Sequence, residues 1–248
     1  MKRGRYHGMW NVVRFNWPKY AVGCAVLLVV TIAMIVASGT WSFVFSVLTI
    51  LSALGLLLPL IVSHSIYDRS DLYALPWLAD LGQDWNGALL NINAGFDEIS
   101  PLLQRRFPKS DLQVVDFYDA REHTERSIER AREVQPSFPG TRVVGIERLP
   151  FPDRSIDIAV AFLALHEIRD ERERVRALAE LRRVLVPTGR LMVTEHLRDA
   201  ANLCAFNFGF FHFHTRCTWL RAFDEAGFRV LSAPRTTPFI TTFILEPL

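Results

Sequence analysis

Hydrophobic and polar positions divide the chain sharply. From Tyr20 to Tyr67 there is no Asp, Glu, Lys or Arg, whereas charges are frequent from Asp68 onward. A helix that crosses a bilayer needs about 20 mainly apolar residues, so this run accommodates two spans. Ser38-Gly39-Thr40-Trp41 is the natural turn between them, because Gly breaks helices and Trp favours the membrane interface. The pattern predicts spans over 20–38 and 41–62, with Gly55 and Pro59 tolerated inside the second. A cleaved signal peptide is the plainer alternative, but its apolar core is only about 7–15 residues long and would not be followed by a second span. A buried hairpin of a soluble protein would carry a charged face, and these segments carry none.

Beyond Asp68 the pattern changes to short apolar runs alternating with amphipathic stretches. Leu72, Leu75, Leu78 and Leu81 are spaced for one face of a connecting helical segment over 68–85. Strands are expected at 88–93, 112–117, 142–146, 156–163, 190–195, 228–231 and 239–245. Helices are expected at 97–107, 124–134, 171–185 and 218–226. Nearly uniform apolar strands separated by helices indicate an α/β fold, Rossmann-like and doubly wound, with a mostly parallel seven-stranded sheet covered on both faces. The last two strands are too close for another helical crossover, so a hairpin or an antiparallel last strand is expected. The chain thus divides into a basic N-terminus (1–19), two transmembrane helices (20–63), a linker helix (64–87) and an α/β domain (88–248).

Charge and cysteine usage narrow the function classes. A net charge of +2, with no basic run among aromatics, gives no case for a nucleic-acid partner. Cys24, Cys204 and Cys217 lie far apart without CxxC spacing, which argues against a disulfide framework or a thiolate metal site. The run Arg169 to Arg176, with charges of both signs, reads as a solvated helix face.

In an open α/β sheet, ligands bind beyond the carboxyl ends of the strands. Four stretches converge there. The first is "NINAGFD", Asn91 to Asp97, a strand running into a loop with a single glycine, Gly95. The second is Asp116, an acid at the end of the second strand and roughly 20 residues on. That spacing suits a carboxylate that accepts ribose hydroxyls, although a capping or surface role is the simpler alternative. The third is "GIERLPFPDRSID", Gly145 to Asp157, an apolar turn able to wall an adenine. The fourth is "FLALHEI", where the fourth strand ends at His166 and Glu167.

The segment "LPFPDRSIDIAVAFLALHEIRDERERVRALAELRRVLVPTGRLMVTEH" resembles the central part of class I S-adenosylmethionine-dependent methyltransferases, in particular the group of the ubiquinone/menaquinone biosynthesis methyltransferases. The resemblance rests on Leu149-Pro150-Phe151, Asp157, Leu165-His166, the helix with Glu180, Leu181, Arg183 and Leu185, and Pro187-Thr188-Gly189-Arg190-Leu191. It covers residues 88–245 and implies S-adenosyl-L-methionine as cofactor, with Asn91, Asn93, Gly95, Asp116, Phe117, Glu147, Leu149 and Phe162 around it. The opening loop departs from the family pattern of an acid followed by three spaced glycines. The acid becomes Asn91, the first glycine Asn93 and the third Asp97; Gly95 alone matches. Asn is the side chain that best tolerates positive φ, so Asn93 is a mild replacement. Gly145 stands where relatives carry an acid facing the adenine amine, with Glu147 nearby but offset.

Methyl transfer from a sulfonium is an in-line displacement, to which an enzyme contributes positioning and electrostatics. A general base is needed when the acceptor is a hydroxyl, a carbon acid or a protonated amine. His166 has the appropriate intrinsic pKa, with Glu167 either orienting it or taking that role, and Glu195 ends the fifth strand on the same rim. A structural histidine is the alternative for His166. The aromatic stretch 196–219 suits a lid or acceptor pocket, with His196, Asn207, Phe211, His212 and His214 as contacts, although a surface dipping into the bilayer or a core helix fits it too. His212 and His214 lack further close ligands in sequence, so no metal is expected. The expected function is a membrane-anchored methyltransferase for a small, lipid-like or quinone-like acceptor. A non-catalytic binding or scaffold protein of the same fold is the second reading.

Lys2, Arg3, Arg5, Arg14 and Lys19 precede the first span with no acid among them, which places the N-terminus on the cytoplasmic side, and two spans return the chain there. A topology reporter fused after Leu248 is therefore expected to be active in the cytoplasm only. A signal confined to the outer face would refute the orientation.

Overall fold

A computed structural model describes residues 4–121 and 126–248. Lys2 and Arg3 of the basic N-terminus, and Thr124 at the start of the expected helix 124–134, lie outside the described residues. Three helices precede the sheet: α1 (His7–Phe15), α2 (Trp17–Val36) and α3 (Thr40–His64). α2 and α3 fold back on each other through a turn at Gly39. Both are long and apolar enough to cross a membrane, with mean hydropathies of 2.3 and 2.5 over their most apolar stretches and none of those residues buried in the protein.

Residues 7–15 of the expected basic N-terminus are not a tail but form α1. A helix this short is marginal alone and needs tertiary support. It is held at both ends. The carboxylate of Asp68, fully buried, accepts from the backbone amides of Gly8 (2.6 Å) and Met9 (3.0 Å), where first-turn N–H groups lack intrahelical partners. At the other end Arg130 donates to the Phe15 carbonyl at 2.7 Å, and the Phe15 ring meets Phe96 edge-on. Gly8 permits this closeness, because a Cβ there would lie 2.3 Å from Cβ of Tyr67.

The connecting segment is also broken up. In place of one helix over 68–85 there are a π turn (Ser65–Arg69) and two 3-10 turns (Asp71–Ala74 and Pro76–Leu78). Leu75 adopts φ +51 immediately before Pro76, and a residue preceding proline is disfavoured in the α region. Leu72, Leu75 and Leu78 are nonetheless all buried, so the predicted apolar face survives without the helix.

The sheet contains β1 (Ala88–Asn93), β2 (Asp111–Asp116), β3 (Arg142–Val143), β4 (Ile156–Phe162), β5 (Leu185–His196), β6 (Phe228–Ser232), β7 (Arg235–Thr237) and β8 (Ile240–Pro247). Their order is β3-β2-β1-β4-β5-β8-β6, with β7 pairing β8 off this path. The first five are parallel, and β8 runs antiparallel to β5, β6 and β7. The expected seven strands are thus eight, because Arg235–Thr237 pairs with the start of β8. The expected sixth and seventh strands form the anticipated antiparallel end. The strand predicted at 190–195 extends back to Leu185, and its register shifts between Ile156 and Ile158 of β4, which accommodates Pro187 and Gly189.

Period-two alternation splits the core between the sheet faces. Leu90, Ala159, Ala161 and Val193 face α6 (Glu171–Val184) and α8 (Arg216–Glu225). Leu89, Ile158, Val160 and Met192 face the connecting turns, α4 (Ser100–Arg106) and α7 (Ala200–Phe206). α5 (Arg126–Val134) buries little besides Ala131 and packs against α1. All strands that carry expected site residues end on one rim.

Removing the Asp68 carboxylate is expected to release α1. Hydrogen bonds to a charged group are worth about 1.5–3 kcal/mol each. Asp68→Ala should lower the thermal midpoint in detergent and expose residues before Trp17 to protease, while Asp71→Ala, at an exposed position, should do neither. Equal protease resistance in both variants would show that α1 is held by other contacts.

Candidate active site

β4 ends at Phe162, and the chain then turns through Leu163 at φ +52 into a 3-10 turn, Leu165–Glu167. The left-handed region costs a bulky residue roughly 1–2 kcal/mol. This turn places His166 beside the end of β5. The Glu195 carboxylate, wholly buried there, accepts from the His166 backbone amide (3.2 Å) and from His166 Nδ1 (2.6 Å). On the other edge of the ring, Nε2 lies 3.2 Å from Glu167 Oε1, which also meets His212 Nε2 at 3.1 Å. Burial alone pulls the His166 pKa down. The Glu195 charge and the hydrogen bonds to Glu167 and Glu195 outweigh it, so the pKa is raised from 6.5 to about 10. At neutral pH His166 is therefore an imidazolium donating to both carboxylates. The expected histidine base already holds its proton, and Glu167 is the neighbouring group able to accept one.

Ligand-type atoms of His166, Glu167 and His212 lie within 4.8 Å of one another, a grouping that His212–His214 spacing did not foretell. Arg169 donates to His212 Nδ1 and to its backbone carbonyl. With Nδ1 accepting, Nε2 carries the hydrogen toward Glu167, so the three groups form a hydrogen-bonded chain.

His196, the last residue of β5, has the opposite electrostatics. Its Nδ1 faces Asn202 Oδ1 (3.0 Å) and the Phe239 carbonyl (3.1 Å), so Nδ1 carries the hydrogen and Nε2 accepts from the Tyr67 hydroxyl at 2.8 Å. Burial lowers its pKa to about 4, with the charge of His166 acting in the same direction.

His166, Glu167, His196 and His212 line a cavity of about 320 Å³. Phe162, Phe206 and Phe213 supply apolar wall, and Ala94 and Phe96 flank Gly95 on the β1 side. Asn11, Val12 and Phe15 of α1, with Asn16 and Lys19, form the remaining side. α1 and Tyr67 were missed by sequence reasoning. The available signal was the apolar periodicity of "HGMWNVVRF" ahead of the first span.

The loop after β1 is held by its own substitutions. Asn93 donates to the Val115 carbonyl (3.1 Å) and accepts from the Gly95 amide (3.1 Å). Asp97 Oδ1 accepts from Asn91 Nδ2 and from the amides of Ile99 and Ser100, orienting the chain into α4. Positive φ falls at Gly95 (+90) and not at Asn93, whose side chain is an anchor rather than a tolerant turn residue. Asn91 Oδ1 is buried without a partner among the described residues. At the end of β2, Asp116 accepts from the Tyr118 amide (2.9 Å) and from Arg132 Nη1 (2.5 Å).

A sheet with this order, helices on both faces and an acid-bearing rim decides the architecture. The fold is that of S-adenosylmethionine-dependent methyltransferases. Residues 90–193 match the family described as a methyltransferase domain. The chain is 42% identical over 94 residues to the ubiquinone/menaquinone biosynthesis C-methyltransferase UbiE of Bordetella avium, a match covering 36% of this chain and 34% of that protein. The enzyme of Bordetella parapertussis is 40% identical over 96 residues. The chain thus spans about a third of the length of the curated relatives it matches. Among solved structures, a SAM-dependent methyltransferase from Aquifex aeolicus superposes with a TM-score of 0.54 at 17% identity, over 73% of this chain and 94% of that one. The mitomycin 7-O-methyltransferase MmcR superposes with 0.57 at 16% identity, over 99% of this chain and 73% of that one.

Within the α/β domain, the expected site residues separate into groups. His166, Glu167 and Glu195 come together, and His196 and His212 join them. Phe117 and Leu149 border a second, apolar cavity of about 20 Å³. Phe162 belongs to the large cavity, beside Tyr73. Glu147 is exposed and folds back over Gly145. Asn207 points away and donates to the Gly55 carbonyl of α3, while Phe211 is 61% exposed. His214 meets Arg174 Nη1 (3.1 Å) and the Trp219 ring. The charge run 169–176 is not wholly a solvated face. Arg174 is 2% exposed and bonded to the Ile168 carbonyl, because it must reach inward to hold the turn after His166. Glu180 and Arg183 of the resemblance motif lock the loop before β4. Glu180 accepts from the Leu149 amide, and Arg183 donates to Glu180 and to the Phe151 carbonyl.

These shifts give stability two pH limits. A raised folded-state pKa contributes stability that is fully present below 6.5 and is lost as pH rises towards 10, as for His166. His196, buried neutral with a depressed pKa, contributes stability that is lost as pH falls from 6.5 towards 4. Thermal midpoints should peak near pH 6.5 and decline on both sides. His166→Gln should flatten the alkaline limb and leave the acid limb; an unchanged alkaline limb would mean that His166 is not held as an imidazolium.

Proposed function

We propose that this chain is a membrane-anchored S-adenosylmethionine-dependent methyltransferase acting on a small or lipid-like acceptor. The buried chain Glu195–His166–Glu167, opening onto a cavity at the carboxyl edge of a methyltransferase sheet, carries this reading. The residues present fit the cofactor. Gly95 offers backbone without a side chain at the end of β1, Asp116 a carboxylate at the end of β2, and Asn91 an unsatisfied buried oxygen. When bound, S-adenosylmethionine supplies an electrophilic methyl group on a sulfonium. Gly95, Asn91 and Asp116 would hold it, with Phe117 and Leu149 as apolar neighbours.

The chain's own residues would prepare the acceptor. His166, held charged by Glu195 and bonded through Nε2 to Glu167, stabilises through its positive charge the negative charge that develops on the acceptor. Glu167 takes the proton that leaves, whether from a hydroxyl or from a carbon next to a carbonyl. Phe206, Phe213 and α1 exclude water from the cavity. The name of the Bordetella relatives supports a quinone-like acceptor. The two apolar helices support anchoring at a membrane, and the basic residues before the first of them support a cytoplasmic domain; anchoring raises the effective concentration of a bilayer-resident acceptor. No metal and no nucleic acid enters this reading.

One observation favours the second reading, a non-catalytic member of the fold: Asp116 is already paired with Arg132. Full-length protein in detergent, given methyl-labelled S-adenosylmethionine and a total lipid extract, should label a lipid. Glu167→Gln should reduce that turnover by roughly 10²–10⁴-fold, the usual contribution of a positioned base, while S-adenosylhomocysteine affinity stays within about twofold. Absence of labelled product together with absence of cofactor binding would favour the scaffold.

A further inference from the structure

Arg132 occupies an unexpected place. Its Nη1 donates to Asp116 Oδ2 at 2.5 Å, and its guanidinium lies 4.5 Å above the centre of the Tyr118 ring. The same side chain covers Gly95, since a Cβ built there would lie 2.8 Å from Arg132 Nη1 and 3.0 Å from its Cδ. One arginine therefore bridges the glycine of the β1 loop and the acid of β2. Those are the two positions to which the proposed function assigns the cofactor, and this inference rests on that reading.

A cofactor whose ribose hydroxyls bond to Asp116 must displace Arg132 from that carboxylate. The displaced guanidinium cannot simply be left over the loop. S-adenosylmethionine brings a sulfonium and an ammonium, both positive, and a buried or half-buried arginine beside them without an anion is strongly unfavourable. The cofactor carries one anionic group, its α-carboxylate, and the planar fork of arginine pairs bidentately with carboxylates. We infer that Arg132 is a cofactor-binding residue that exchanges Asp116 for the α-carboxylate of S-adenosylmethionine. The exchange conserves charge pairing: one carboxylate replaces another on the guanidinium, and two hydroxyl groups replace the guanidinium on Asp116. It also accounts for the altered loop. Asn93 and Asp97 spend their side chains on the Val115 carbonyl of β2, the Gly95 amide and the amides at the entry to α4, and a cation from α5 stands over the one glycine that remains.

The test compares two ligands with the same adenosine and different tails. S-adenosylhomocysteine has the α-carboxylate; 5′-methylthioadenosine lacks the amino-acid end. Calorimetry on the full chain in detergent is expected to show that Arg132→Ala weakens S-adenosylhomocysteine at least tenfold while leaving 5′-methylthioadenosine unchanged or tighter, because Asp116 is freed. Arg132→Lys should recover part of the loss. Tightening of both ligands would overturn the inference by showing a mere plug, and equal weakening of both would overturn it by showing a structural role. If Arg132→Ala alone is unstable, the double variant Arg132→Ala with Asp116→Asn removes the unpaired carboxylate, and the ratio of the two affinities is read against Asp116→Asn alone. A wild-type chain that binds neither ligand would sink the cofactor reading itself. Wild-type binding of both with no change in any Arg132 variant would sink only the role of Arg132.

Discussion

A carboxylate that reaches no water must be neutralised from within, and Glu195 at the end of β5 imposes that demand on its surroundings. The answer comes from the neighbouring strand. Parallel pairing of β4 with β5 brings the turn after Phe162 alongside, and both the amide and the ring of His166 close on Glu195. That closure explains the left-handed Leu163, the inward Arg174 that bonds the Ile168 carbonyl, and the placement of Glu167 at the cavity wall. Across the same rim His196 is kept neutral by burial and by the charge of His166, which outweigh the two carbonyl oxygens that accept from its Nδ1. Two histidines at the ends of adjacent strands thus hold opposite protonation states, and the cavity between them is electrostatically asymmetric.

The second organising contact is Asp68 with the first turn of α1. It ties the segment that follows α3 to the segment that precedes α2, so the apolar hairpin leaves and re-enters the domain at one place. Because Asn16 and Lys19 also line the cavity, the base of the hairpin is part of the site wall. The aromatic stretch serves the same junction from the other side, with Phe206 and Phe213 inward and Asn207 bonded to α3.

The loop after β1 shows how a turn can keep its path while losing glycines. Gly95 retains the positive φ, and Asn93 stabilises that conformation by accepting from its amide. Asp97 does for the entry to α4 what a capping side chain does for an ordinary helix, accepting from two successive amides. The substitutions are therefore mutually consistent as local structure, and they shift the question of cofactor recognition onto side chains from α5.

Patterning alone determined the two apolar helices, the alternation of strands and helices, and the antiparallel end of the sheet. Each depends on local periodicity or on the length of a connection, and both are written along the chain. The motif residues likewise marked His166, Glu167 and Glu195, since strand ends on one rim converge in any sheet of this kind. Tertiary structure alone decided the rest. α1 exists because Asp68 and Arg130, distant in sequence, satisfy its ends. The helix expected over 68–85 gave way to tight turns because Pro76 forbids it while the leucines remain buried. The histidine read as a base is an imidazolium because two carboxylates from different segments surround it, and Asp116 is paired because α5 lays Arg132 across it. A protonation state and an ion pair belong to the distances between segments, and no sequence periodicity encodes those distances.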